Sequence, residues 1–326
     1  MLSSVTSISC NLTAHLSVLI NKKIIIYCSY SIFNSTLLIL IADYRRDPFC
    51  SHTIKTKNSA MNNAQPISGI TVLYQELYVV SDANSTVEVY DTRTFALVRE
   101  LCISGLVDPG DIASCANNSC IYIVDWKSRD HENEIFKVDS AGTLIKKWTT
   151  PDDYSWISMT HESHIVLTLL EENMINEYKP SGLLIRSVKI HQESGVRHLW
   201  HAIKLTNGNF IISHGLKNCH RVCQVNASGA VMNSFGENSG IYRLRSAVYL
   251  AEDSHGSILV VDQSSGRVVQ LNSNLEFQKQ LVTKRHNLHS PIRVFLDESK
   301  GRLFVADRKC LISIFNSGAF RGVDIE

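Results

Sequence analysis

The sequence predicts an all-β protein, a six-bladed β-propeller with four antiparallel strands per blade, and three observations carry that prediction. Six apolar runs recur along the chain: LYVVS from Leu77, IYIVD from Ile121, IVLTL from Ile165, FIISH from Phe210, ILVVD from Ile258 and LFVAD from Leu303. Their starts lie 44, 44, 45, 48 and 45 residues apart, the period of a four-strand blade of about 40–50 residues. The runs are continuous and β-branched, as strands covered on both faces are, and no longer stretch keeps a helical period.

Within each repeat the elements follow one plan. In the second, DIASC (Asp111–Cys115) is an inner strand, ANNS a turn, and IYIVD (Ile121–Asp125) the buried second strand. EIFKVD (Glu134–Asp139) then alternates apolar and polar residues, and Ala141-Gly142 turns the chain into TLIKKW (Thr143–Trp148). The fourth repeat reads HAIKL, TNGN, FIISH, RVCQVN, ASG and AVMNSF; the fifth reads AVYLA, EDSHGS, ILVVD, QSSG, RVVQLN, SNL and EFQKQL. The remaining inner strands are GITVL, WISMT and PIRVF.

The segments VVDQSSGRVVQLN (Val260–Asn272) and SPIRVFLDESKGRLFVADRKCLISIFN (Ser290–Asn316) resemble the NHL repeat, and the resemblance extends over about four-fifths of the chain. It implies a propeller like that of the tripartite-motif NHL proteins, here without a RING or B-box module. The Asp that closes the second strand is present as Asp125, Asp262 and Asp307 and replaced by Ser81, Leu169 and His214. Only the fifth repeat keeps both that Asp and the following Arg, as Asp262 and Arg267, a pair expected to lock the second strand to the third.

At 326 residues and 44% hydrophobic content the chain can build a large core. The propeller is expected over 66–326. From Pro66 onward it carries 26 basic and 29 acidic residues, a net of −3, so an overall basic footprint for nucleic acid is absent. Nine cysteines show no metal spacing, and Cys115 and Cys120 are expected to face each other, reduced, across a hairpin. Without a compartment signal, cytoplasm is the default location.

Residues 1–65 leave three readings open. Ile24–Ala42 is free of charge over 19 residues, enough to span a bilayer, but Ser29, Ser31, Asn34, Ser35 and Thr36 interrupt it. KIIIYC and LLILIAD read equally as two extra strands, and the third reading is an unstructured segment preceding Met61. The strand that closes the last blade is expected from this region or from Phe320–Ile325.

Loops on a rigid scaffold are where function concentrates. The repeat register collects at one face Asp108, Asp111, Asp125, Trp126, Tyr154, Trp156, Trp200, His201, His214, Arg245, Asp262, Arg293, Asp307 and Arg308. Of these, Asp125, Trp126, Trp156, Trp200, His201, His214, Arg245, Arg293 and Asp307 are the candidate binding residues, since exposed Trp and Arg mark binding hot spots. Packing of the tryptophans between blades is the competing expectation. His201 and His214 are placed to approach each other at the channel mouth, where imidazoles bind zinc or move protons. A third ligand is not evident, so no metal, cofactor or catalytic residue is expected.

The expectation is therefore a non-enzymatic interaction scaffold that binds a protein partner through this face, with no small-molecule substrate. Two alternatives stay open. One is an RNA-binding propeller using Arg197, Arg221, Arg243, Arg245, Arg267, Arg293 and Arg308. The other is a metal-dependent lyase or hydrolase centred on His201 and His214, as the resemblance to enzyme-bearing propellers implies.

Overall fold

The computed structural model describes residues 48–57 and 65–317, apart from 83, 128–131, 152–154, 171, 192–193, 217–218 and 238–241, together with four short upstream strands. Two compact units are present, Met1–Arg46 and Asp47–Glu326. In the first, Thr13–Ala14 pairs with Cys28–Ser29, and Val18–Ile20 pairs with Lys23–Ile25, both antiparallel. LLILIAD and Phe320–Ile325 lie outside the described residues. No helix among the described residues is long and apolar enough to cross a membrane.

The second unit is a propeller of six four-stranded antiparallel sheets, as the periodicity predicts. Blade 1 comprises Ile67–Leu73, Glu76–Ser81, Thr86–Asp91 and Leu97–Cys102. Blade 2 comprises Pro109–Cys115, Cys120–Lys127, Glu132–Asp139 and Leu144–Pro151. In blade 3 the strands are Ser155–Met159, Ile165–Leu169, Met174–Tyr178 and Leu184–Lys189. Blade 4 holds Leu199–Lys204, Phe210–His214, Arg221–Val225 and Val231–Phe235, and blade 5 Ala247–Glu252, Ile258–Asp262, Arg267–Leu271 and Phe277–Val282. Blade 6 takes Pro291–Asp297, Arg302–Asp307 and Leu311–Asn316 from the end of the chain and its outermost strand, Phe49–Lys55, from far upstream. The propeller unit thus takes in chain before Pro66.

Burial falls outward in each blade. The second strand of blade 5 is buried throughout, whereas the outer strand of blade 3 is exposed at four of its six positions. The core is divided into six apolar clusters, each shared by two neighbouring blades. Tyr78, Val89 and Leu101 of blade 1 meet Ile112, Ile123 and Phe136 of blade 2, and the series closes where Ile292, Phe304 and Ile314 meet Ile67, Ile70 and Val79. Sheet faces packed against sheet faces around a ring leave no sheet with an uncovered face.

The upper face, defined by the loops leading into the inner strands, is stitched by a recurring backbone bond. The residue after the closing position of the second strand donates its N–H to the lead-in loop: Asp82 to Pro66, Trp126 to Asp108, Gly215 to Arg197, Gln263 to Ser246 and Arg308 to Ser290. The closing carboxylates reinforce it. Asp125, fully buried, accepts the N–H groups of Val107 and Asp108 at 3.1 and 2.5 Å. Asp262 accepts those of Arg245 and Ser246 at 3.1 and 2.9 Å and the Arg267 Nε at 2.9 Å, so the expected lock joins three segments. Asp307 also takes a backbone hydrogen bond from His289 of its lead-in loop and caps its own turn, accepting the N–H groups of Lys309 and Leu311 at 2.8 and 3.2 Å.

Candidate functional site

In five blades the inner strand carries an irregularity one residue after its start, between positions 67/69, 109/111, 199/201, 247/249 and 291/293. Such a bulge re-aims the residue that follows it. Gly69, Asp111, His201, Tyr249 and Arg293 therefore share one register position, opposite Val80, Val124, Ser213, Val261 and Ala306. Blade 3 has no bulge and places Trp156 opposite the equivalent Thr168.

The side chains at this position close a ring of contacts around the axis. Arg293 Nε donates to Asp111 at 3.3 Å, and its guanidinium lies 5.0 Å from the centre of the Tyr249 ring. Tyr249 stacks on His201 at 3.9 Å and 26°. His201 Nδ1 accepts the Leu250 N–H at 3.3 Å, so Nε2 carries the proton and donates to the Ile157 carbonyl at 3.4 Å. Asp111 accepts the N–H groups of Ile112 and Ile157 at 3.0 and 3.1 Å. Blade 1 supplies Gly69, where a Cβ would come within 3.0 Å of the Asp111 carboxylate. All six blades meet here, and none of the four side chains is more than 7% exposed.

Burial sets the electrostatics of this cluster. It pushes the Asp111 carboxyl up to about 6 against the opposing pull of Arg293. Burial, with the Arg293 charge added, pulls His201 down to about 3. Both His201 nitrogens are spent on backbone, and the ring stays neutral. Sequence reasoning singled out Asp111, His201 and Arg293 but missed Tyr249. Aligning the blades on their second strands places it in the same column.

Above the axis the tryptophans form a ladder across blades 2 to 4. Trp126 and Trp156 meet edge to face at 5.8 Å and 74°, Trp156 and Trp200 at 5.4 Å and 60°. Trp126 Nε1 donates to the Ser155 carbonyl and Trp200 Nε1 to the Gly215 carbonyl, at 3.0 and 2.9 Å. Trp126 lies on Gly110, whose missing Cβ would fall 1.9 Å from the indole. Trp156 is buried, and Trp126 and Trp200 are half-buried. The ladder thus packs the blades together while leaving its two end members at the surface. Tyr154 lies outside the described residues.

His214 does not join His201. It sits opposite Leu199 and Arg221, with Nε2 3.3 Å from Cys223 Sγ. Burial, aided by the charges of Arg221 and His220, pulls it down to about 4, and burial pushes the Cys223 thiol up to about 12. Among the described residues neither histidine belongs to a metal-capable cluster. Among the described residues that description fits Glu162, His164 and Glu177 in blade 3, at the end opposite the upper face. There Lys204 Nζ lies 2.9 Å from Glu162 and 2.8 Å from Glu177, so an ammonium already holds the cation position. Cys115 and Cys120 face each other in register, unbonded and buried.

The exposed part of the face is cationic on one side. Arg197, Arg243, Arg245 and Arg308 are exposed on the loops of blades 4 to 6. Within the arginine set expected for RNA, Arg221 pairs with Glu237, Arg267 with Asp262 and Arg293 with Asp111.

Solved structures with this architecture include enzymes. The chain is similar to virginiamycin B lyase from Staphylococcus aureus, with a TM-score of 0.58 at 10% identity, over 81% of this chain and 98% of that one. A catalytically inactive form of that lyase, with quinupristin, gives 0.56 at 14% identity, over 78% and 82% of the two chains. A protein of unknown function from Bacteroides caccae gives 0.53 at 15% identity, over 71% and 86%. No family model matches the chain, and no curated protein matches it. What these likenesses establish is the propeller; NHL membership is not among their results. They also correct one expectation. Two of the matching propellers are lyases, so a chain of this fold is not set apart from enzymes, and the expectation of a protein without enzymatic activity does not stand.

Proposed function

We propose that this propeller is a recognition domain that binds a protein partner through its upper face. The observation that carries the reading is the contrast between axis and rim. The polar side chains at the axis are buried and spent on one another or on backbone, whereas Arg197, Arg245 and Arg308 are exposed on loops of the same face that carries the half-buried Trp126 and Trp200. Partly exposed Trp and exposed Arg on one face are the composition of a protein-binding hot spot. A photo-crosslinking amino acid at Leu216, exposed on an upper loop, is expected to capture a defined protein in cells, and the same probe at Ile145, near the opposite end, is not. Equal capture from both positions, or none from Leu216, overturns the reading.

A lyase or hydrolase reading draws its support from the two lyase structures, since His201 and His214 do not meet and both His201 nitrogens are spent on backbone. It is tested by incubating the purified chain with quinupristin. Turnover lost in His214→Ala supports it, and unchanged quinupristin counts against it.

A further inference from the structure

Charge on the upper face is sorted by blade. Arg197, Arg243, Arg245, Arg285, Arg308 and Lys309 are all exposed on the upper loops of blades 4 to 6. Of the acids on those loops that are described, Glu237 is taken by Arg221, and Asp262 and Asp307 are buried against backbone N–H groups. Among the described residues the corresponding loops of blades 1 to 3 carry Asp82, Asp108 and Glu172, and their one exposed cation, Lys57, is taken by Glu100. The two halves sense each other: Asp82 lies in the fields of Arg293, Asp108 and Arg308. Opposed charge across one face orients an approaching partner and accelerates its encounter.

From this arrangement we infer that the partner presents an extended acidic segment, its carboxylates on blades 4 to 6 and an apolar side chain against Trp200. The inference rests on the protein-partner reading above. Single-stranded nucleic acid is the competing polyanion, and its bases need open aromatic faces on which to stack. The indoles here meet edge to face, Trp156 is buried and Trp126 lies on Gly110, so the ladder offers edges rather than open faces. A carboxylate-bearing peptide needs only exposed guanidinium groups, which suit it bidentately.

The test titrates the full chain with three labelled probes: a peptide alternating Glu and Leu, the same peptide with Lys for Glu, and an oligouridylate of equal charge. The Glu peptide is expected to bind tightest. Reversing Arg245 and Arg308 together (R245E, R308E) should weaken it about tenfold, since each exposed pair contributes a few-fold. Reversing Lys146 and Lys179, exposed near the opposite end of blades 2 and 3, changes net charge equally and should leave binding within about twofold. Tighter binding of the oligouridylate, equal binding of the Lys peptide, or equal loss in both double variants overturns the inference. If crosslinking at Leu216 captures a protein that the Glu peptide does not displace, the acidic-segment inference falls alone. If nothing is captured, the protein-partner reading falls with it.

Discussion

At the scale of single residues, the axis cluster makes stability depend on pH with a sign that can be worked out. His201 and His214 are held neutral down to about 3 and about 4, whereas the same groups in an unfolded chain take up a proton near 6.5. Between those limits the unfolded chain binds more protons, so stability falls as pH is lowered. Asp111 opposes this. Its folded carboxyl titrates at about 6, above its unfolded value of about 3.9, so the folded chain holds an extra proton between the two. Between pH 4 and 6 the two histidines outweigh this one carboxyl, while Asp82, Glu252 and Asp307, also raised by burial, add to its side, so the test lies in the slopes of variants relative to the parent chain. In denaturant melts across this window, stability should fall more steeply with acidification in Asp111→Asn than in the parent chain and less steeply in His201→Gln. Equal slopes in all three would show that these groups do not titrate differently on folding. Asp111 and His201 were visible in the sequence as polar residues on inner strands, and Arg293 as a candidate binding residue. Their meeting was not, because it depends on a bulge that re-aims each side chain and on a tyrosine that reads as ordinary core.

At the scale of the strand and its lead-in loop, the closing aspartate is worth more than a surface ion pair. Asp262 is fully buried and is the acceptor for two backbone N–H groups as well as for Arg267. Replacing it with Ala strands a buried guanidinium and two donors, a loss of about 3–5 kcal/mol. Asp262→Asn retains a carbonyl oxygen for the loop and should cost clearly less, so chemical melts should rank parent, Asn, Ala. An Ala variant as stable as the parent would mean that the loop holds itself. The sequence shows where these locks are missing, at Ser81, Leu169 and His214, but not what they fasten. Read along the strand, Asp262 and Arg267 join two neighbours. The bonds to Arg245 and Ser246 appear only once the preceding loop is folded back over the strand end. The tryptophans divide in the same way: their place on one face followed from the register, while their edge-to-face contact depends on side-chain angles that no spacing records.

At the scale of the whole molecule, the number of blades was legible, and the closing strand was narrowed to two regions without its residues being found. Six buried second strands announce six blades because each must be β-branched and apolar from end to end. The closing strand, Phe49–Lys55, has no such constraint: it lies on the outer edge, with Ile54 its one buried residue, and reads as polar chain. Yet it completes blade 6. It pairs with Leu311–Asn316, Ile54 enters the cluster shared by blades 6 and 1, and Thr56 donates through both N–H and hydroxyl to the Cys310 carbonyl. Removing it would bare a strand edge lined by Ile312 and Ile314 and open one side of the ring, and uncovered edges recruit other chains. A chain shortened to 58–326 should therefore melt at lower temperature than one of 47–326 and associate on size-exclusion chromatography, while the longer form stays monomeric. The two forms differ by one strand far in sequence from the blade it completes. A loss of cooperativity in the shorter form would show that the ring is held by its closure as well as by its six separate cores. Equal melting of the two would show that packing between blades suffices, and that the upstream strand covers an edge without fastening the ring.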